Sequence, residues 1–294
     1  IGIDDLPKVG PFIKTLKVGH QKTPFGLEQN VSSKHTTFME RGLTDALDFG
    51  FDTGLTVAGG IESGKVMADW KVGIMKSVGA FGTGANNGEW YLALRETNKF
   101  QVNDDMYIVA GVSAMYGSPS GDAVAYADST ELNTMSSGAG AGAGAKSEYR
   151  VGIEVAAVWK GLTFQSEVMY AKAERPSGST LNDPEPWAAY AQVSYMLTGE
   201  KRPWKGGTFG RISPKSDLFD GGWGAFEVAA RYSHLDLSNQ GLGGGRLNNG
   251  TLGVNWYMSA NAKLMMNYLY EDITPAAGTG GRIHGLGFRM QIDF

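Results

Sequence analysis

No cysteine occurs among the 294 residues. Disulfides, thiolate metal sites and cysteine nucleophiles are therefore excluded. The absence suits an oxidising compartment, where a stray thiol is a hazard. No apolar run approaches the roughly 18 residues that a membrane-crossing helix needs. A helical membrane protein is excluded, whereas a barrel that crosses with strands is not. Basic residues are not in excess either. Lys and Arg number 26 against 30 Asp and Glu, the net charge is -4 and the pI about 5.6, so the basic footprint of a nucleic-acid binder is missing. The opening IGIDDLPKVG has no basic or apolar signal-peptide region. The expectation is that a signal was removed or that the sequence starts inside a longer chain.

Catalytic patterns are missing as well. His20, His35, His234 and His284 are scattered without metal-ligand spacing. Ser233-His234 lacks a nucleophile elbow and an ordered acid. The glycine strings do not follow a strand and open a helix, so they are not phosphate cradles. The expectation is a protein that is no enzyme and uses no cofactor or metal.

What the sequence does have is period-two alternation, the mark of strands with two unlike faces. Tyr149, Val151, Ile153, Val155, Ala157 and Trp159 form one face, and Arg150, Gly152, Glu154 and Ala156 the other. Lys160-Gly161 then turns the chain, and Leu162, Phe164, Val168 and Tyr170 resume against Thr163, Gln165 and Glu167. Each arm is about 13 residues, longer than the about 5–6 of soluble strands and enough for a tilted membrane strand. The pattern recurs at 187–197, 226–232, 252–258 and 264–270. Weaker candidates are Phe12–His20, Leu47–Ala58, Ala68–Ser77, Glu89–Thr97 and Met106–Tyr116. A last run, Leu286, Phe288, Met290, Ile292 and Phe294, closes the sequence on a phenylalanine. Such an ending resembles the signal read by the outer-membrane barrel assembly machinery.

The fold class expected is all-β, a transmembrane antiparallel β-barrel with about twelve strands in one domain. Mean hydropathy of -0.21 fits, because averaging the lipid-facing and lumen-facing residues hides the apolar face. Aromatic residues at the ends of the apolar faces, among them Tyr149, Trp159, Trp187 and Trp256, suit interfacial girdles in the lipid bilayer.

If Phe12–His20 runs outward, the outer connections are 21–46, 78–88, 117–146, 175–186, 237–247 and 274–282. The inner ones are 59–67, 98–105, 160–161, 198–223 and 259–261. Only 198–223 is too long for a plain periplasmic turn. The connection 117–146 holds SSGAGAGAGAK and reads as a long flexible outer loop.

Two stretches resemble a known family. KVGHQKTPFGLEQNVSSKHTTFMERGL, residues 17–43, carries G-x-x-K-x-P-F-G-L-E and F-x-E-R elements. GGWGAFEVAARYSHLDL, residues 221–237, leads into NNGTLGVNWYMSANAKLMMNYLYED, residues 248–272, and TGEKRPW at 198–204 also fits. Together they resemble the phosphate-selective porin family of O and P type. The resemblance implies a sixteen-stranded homotrimeric porin of the bacterial outer membrane, surrounded by lipopolysaccharide. Its water-filled channel would pass small anions such as phosphate by passive diffusion. It further implies four strands upstream of this sequence, and a constriction-type loop at 21–46 folded into the lumen. Residues 198–223 are a periplasmic segment that could fold inward likewise.

The candidate pore residues follow from both readings. Lys22 and Arg41 lie in the matched motifs. Alternation turns Lys17, Lys71, Arg95, Arg150, Arg231, Lys263 and Arg289 inward, against Glu89, Glu154, Glu167, Glu227, Glu271 and Asp293. That near balance fits cross-strand ion pairs as well as ion selection. The segment 198–223 has a local basic excess in Lys201, Arg202, Lys205, Arg211 and Lys215. It attracts anions if it enters the lumen, and is otherwise a solvated loop. Glu40 beside Arg41 could serve to anchor the loop to the wall. A plugged barrel, or an abundant envelope protein with a structural or surface-contact role, is the alternative to a channel.

Overall fold

The computed structural model describes residues 2–4, 12–76, 90–119, 123–126, 141–238, 242, 244–275 and 279–293. Thirteen strands form one antiparallel sheet. They are β1 (Gly2–Asp4), β2 (Ile13–Lys22), β3 (Phe51–Ser63), β4 (Val66–Lys76), β5 (Trp90–Asn103), β6 (Met106–Gly117), β9 (Ser147–Trp159), β10 (Leu162–Glu174), β11 (Trp187–Met196), β14 (Ala225–Asp236), β15 (Arg246–Tyr257), β16 (Ala262–Thr274) and β17 (Gly281–Ile292). Each pairs with its neighbour in this order, and β1 and β17 are the two edges among the described residues. Two small hairpins interrupt the order, β7–β8 (Ala123–Tyr126 and Ala141–Gly144) and β12–β13 (Trp204–Lys205 and Thr208–Phe209).

The two faces of the sheet invert the usual rule that charge lies outside. Val151, Ile153, Leu252, Leu286 and Phe288 point outward with roughly half of their surface exposed or more, whereas Glu154, Glu167, Glu227, Arg231 and Glu271 are almost fully buried on the inner face. Apolar surface of this extent is stable against lipid, and the polar inner face against a lumen. No helix among the described residues is long and apolar enough to cross a membrane.

The twelve long strands fall where alternation put them, and β1 is a short thirteenth. The ends differ for identifiable reasons. β3 and β4 extend to a two-residue turn at 64–65 and β5 and β6 to one at 104–105, shorter connections than 59–67 and 98–105. Gly59, Gly60, Asn98, Lys99 and Gln101 break the hydrophobic pattern, but ladder hydrogen bonds need only backbone. β3 starts at Phe51 rather than Leu47, because Leu43–Leu47 forms a 3-10 turn whose Leu43 and Leu47 are buried. The loop 117–146 is not uniformly irregular, since its Gly/Ala run contributes β8. The connection 78–88, Glu89 and Phe294 lie outside the described residues.

Candidate functional site

After β2 the chain turns inward at Gly26. Its φ of 69° is left-handed, and a Cβ there would stand 2.6 Å from the Met169 side chain, so glycine alone fits. The short helix α1 (Leu27–Asn30) follows. Its first amides, of Leu27 and Glu28, donate to the Glu167 carboxylate at 2.6 and 3.3 Å. Those amides have no partner within the helix, so the wall carboxylate caps them. Glu28 in turn accepts from Arg231 at 2.9 Å and from the Gly42 amide at 2.8 Å.

The rest of the segment between β2 and β3 is held by its carbonyls. Lys263 donates to Thr36 O at 3.0 Å, Asn255 to Thr37 O at 2.7 Å, Arg150 to Leu47 O at 2.8 Å and Arg231 to Glu40 O at 2.9 Å. Arg289 donates to Met39 O and to the Glu40 carboxylate. An irregular segment buried inside a barrel must find donors for its carbonyls, and the wall supplies them. Phe25, Leu43 and Leu47 complete the attachment by packing with Tyr91, Met169 and Leu235.

The long segment between β11 and β14 also enters the interior. Its hairpin β12–β13 turns at Gly206–Gly207, with φ of 60° and 74°, the conformation a two-residue hairpin turn needs. Trp204 and Phe209 pack with Leu27, Val31, Tyr107 and Val109. Arg202 joins the two inserted segments, donating to Glu227 on β14 at 2.5 Å and to His35 O at 3.2 Å. His35 sits at that junction. Its pKa is held below the usual histidine value by burial first and by the cations Arg211 and Lys263 next. A third insertion comes from the same end of the strands as the β2–β3 segment, where Val124 and Tyr126 of β7 join the cluster of Phe25 and Leu47 and Tyr126 donates to Glu148 at 2.7 Å.

These contacts show where each sequence-predicted cation lies. Arg95 is paired with Glu154 at 2.5 Å and Arg150 with Glu148 at 2.8 Å. Arg231, Arg202 and Arg289 hold the inserted segments as described. Arg41 donates weakly to Glu28 O at 3.3 Å. Lys201 reaches Asp104 O at 2.7 Å, Arg211 pairs with Asp293 at 2.7 Å, and Lys205 is exposed at the end of β12.

Lys17, Lys22 and Lys71 come together with Lys14 around a cleft of about 790 Å³ beside β2, β3 and β4. Asp69 is the one carboxylate among the described residues that line it, and Gly206 closes one side. Lys22 also donates to Gln29 O and Val31 O, at 2.6 and 2.7 Å, so it ties the inserted segment to the cleft wall. Lys14 was not legible by alternation. The register shifts between Ile13 and Thr15, and this bulge breaks the period and brings Lys14 to the cleft beside Lys17.

A wall with apolar residues outside, charges inside and inserted segments across the lumen defines a β-barrel of the outer-membrane porin type. The chain belongs to the family Phosphate-selective porin O and P, whose model matches residues 10–294. It is 26% identical to Porin O of Pseudomonas aeruginosa over 154 residues, 49% of this chain and 34% of that protein. It is 31% identical to an uncharacterised protein of Caulobacter vibrioides over 157 residues, 51% of this chain and 31% of that protein. The chain thus matches about a third of the length of these curated relatives. Among solved structures it is similar to outer-membrane expressed OmpT of Vibrio cholerae, with a TM-score of 0.53 at 12% identity, covering 96% of this chain and 77% of that one. That likeness concerns the fold. Family and fold together place the chain in the bacterial outer membrane.

Proposed function

We propose that the chain forms the wall and constriction of a porin channel, and that small anions of the phosphate class pass through the lysine-lined cleft. One observation carries this reading: four lysines, Lys14, Lys17, Lys22 and Lys71, surround a cleft with one carboxylate among the described residues that line it. A wall of one sign selects ions of the opposite sign, and the effect grows where water is scarce. The arginines elsewhere on the inner face are engaged in ion pairs and clamps, whereas cations outnumber carboxylates among the residues lining the cleft. Passive conduction needs no catalytic group, in keeping with a channel rather than an enzyme. Assembly as a homotrimer among lipopolysaccharide, with insertion by the barrel assembly machinery, belongs to the same reading.

Planar-bilayer recording in a salt gradient tests it. Channel steps with a reversal potential of anion-selective sign are expected, and Lys17→Glu with Lys71→Glu should move that potential toward cation selectivity. Unchanged selectivity in the double variant would remove the cleft from the path. A second reading, a plugged barrel, is favoured by the apolar packing of Phe25, Leu47, Tyr126 and Leu235 inside the wall. It predicts no steps at all.

A further inference from the structure

The tip of the inserted β12–β13 hairpin is held against the wall at one residue. The Gly207 carbonyl accepts from Arg95 Nη1 at 2.8 Å, and the Asp69 side chain lies against the Gly207 backbone. Arg95 cannot swing away, because Glu154 accepts from its Nε at 2.9 Å and from Nη2 at 2.5 Å. A Cβ on Gly207 would stand 3.2 Å from Thr97 Oγ1 and 3.4 Å from Asp69 Cβ, so the tip backbone lies directly on strands β4 and β5. The adjacent tip residue, Gly206, lines the cleft together with Asp69 and Lys71.

A surface turn satisfies its backbone with water, and here Arg95 replaces that water at the Gly207 carbonyl while Asp69 packs beside it. The replacement fixes a position. We propose that Asp69 and Arg95 are size-determining residues of the solute path. By holding Gly207 they fix the lip that Gly206 presents, and this lip sets the width of the cleft. Asp69 is then more than a counter-charge to the lysines, and its two roles are separable. Asparagine at 69 removes the charge and keeps the side-chain bulk against Gly207, whereas alanine removes both. The inference rests on the cleft being the conducting path.

Single-channel recording of the membrane-inserted protein, with neutral poly(ethylene glycol) of graded size as the probe of aperture, tests it. Asp69→Asn should leave the size cut-off unchanged and shift the reversal potential toward stronger anion preference. Asp69→Ala should raise both the cut-off and the conductance, with added open-channel noise. Because the chain has no cysteine, Asp69→Cys with Gly207→Cys can relock the tip without competing thiols. The 3.4 Å approach at this pair is close to the Cβ separation of about 3.8 Å in a disulfide. The oxidised pair should show the native cut-off, and reduction should convert it to that of Asp69→Ala. An unchanged cut-off in Asp69→Ala, or the same cut-off in the oxidised and reduced pair, overturns the sizing role in a native protein that conducts. A native protein that shows no steps overturns the channel reading itself.

Discussion

Arg231 and Glu28 join the inserted β2–β3 segment to the wall with side chains almost wholly out of water, at 0% and 7% exposure. Removing one member of such a pair leaves an uncompensated charge, which costs about 3–5 kcal/mol, while removing both costs far less. Arg231→Met should therefore lower the urea midpoint of the detergent-folded barrel, and Glu28→Met with Arg231→Met should recover much of the loss. Equal midpoints for the single and double variants would show that the pair is not what holds the segment. Glu96 is the opposite case. On β5 it follows Leu94 on the outward face, flanked across the strands by Trp70 and Val112, and Asn98 donates to it at 2.6 Å. A charge facing lipid near mid-strand is unfavourable; for Arg or Lys the cost is about 2–4 kcal/mol, and for Glu less. Glu96→Leu should thus stabilise the barrel by up to about 2 kcal/mol in refolding into bilayers. A destabilised variant would mean that Glu96 has a partner outside this chain.

At the level of elements, the two inserted segments meet at His35, and their docking should respond to acid. Because the histidine pKa is depressed in the docked state, that state binds fewer protons than the undocked one. Docking is at full strength above the ordinary histidine value of about 6.5. It weakens as pH falls through that value, until the folded pKa is passed and the loss is complete. After division by the intrinsic exchange rate at each pH, protection at 32–38 and 204–211 should therefore be lower at pH 5 than at pH 7.5. His35→Gln should remove most of that difference. An equal difference in the variant would assign the response to other groups.

Over the whole molecule, packed apolar side chains and clamped carbonyls extend from β4 and β5 round to β17, and the lysine cleft lies along β2–β4. The proposed selectivity rests on lysines and most of the clamps on arginines, while Lys22 and Lys263 also hold carbonyls of the inserted segment. The division follows side-chain chemistry, since the planar guanidinium can hold a carboxylate and a carbonyl together, as Arg231 and Arg202 do. A charge-reversing pair in the cleft is accordingly expected to change ion preference with little loss of stability, and Arg231→Met to do the reverse.

The sequence by itself determined the wall. Alternation along 149–170, 226–232 and 252–270 specifies which side chains meet lipid and which meet the lumen, because a strand has only two faces and a one-residue slip exchanges them. The inward direction of Arg95, Arg150, Arg231 and Glu167 was therefore legible, and so was the Lys160-Gly161 turn. Only the tertiary structure decided what those inward groups do. The partners of Arg231 lie some 190 to 203 positions away in sequence, and Gly207 is 112 from Arg95. Such pairings depend on how irregular backbone settles against the inner face of the sheet, which no local period encodes. Lys14 marks the boundary between the two kinds of information. Its bulge breaks the period that would have revealed it, and the folded sheet places it beside Lys17, Lys22 and Lys71.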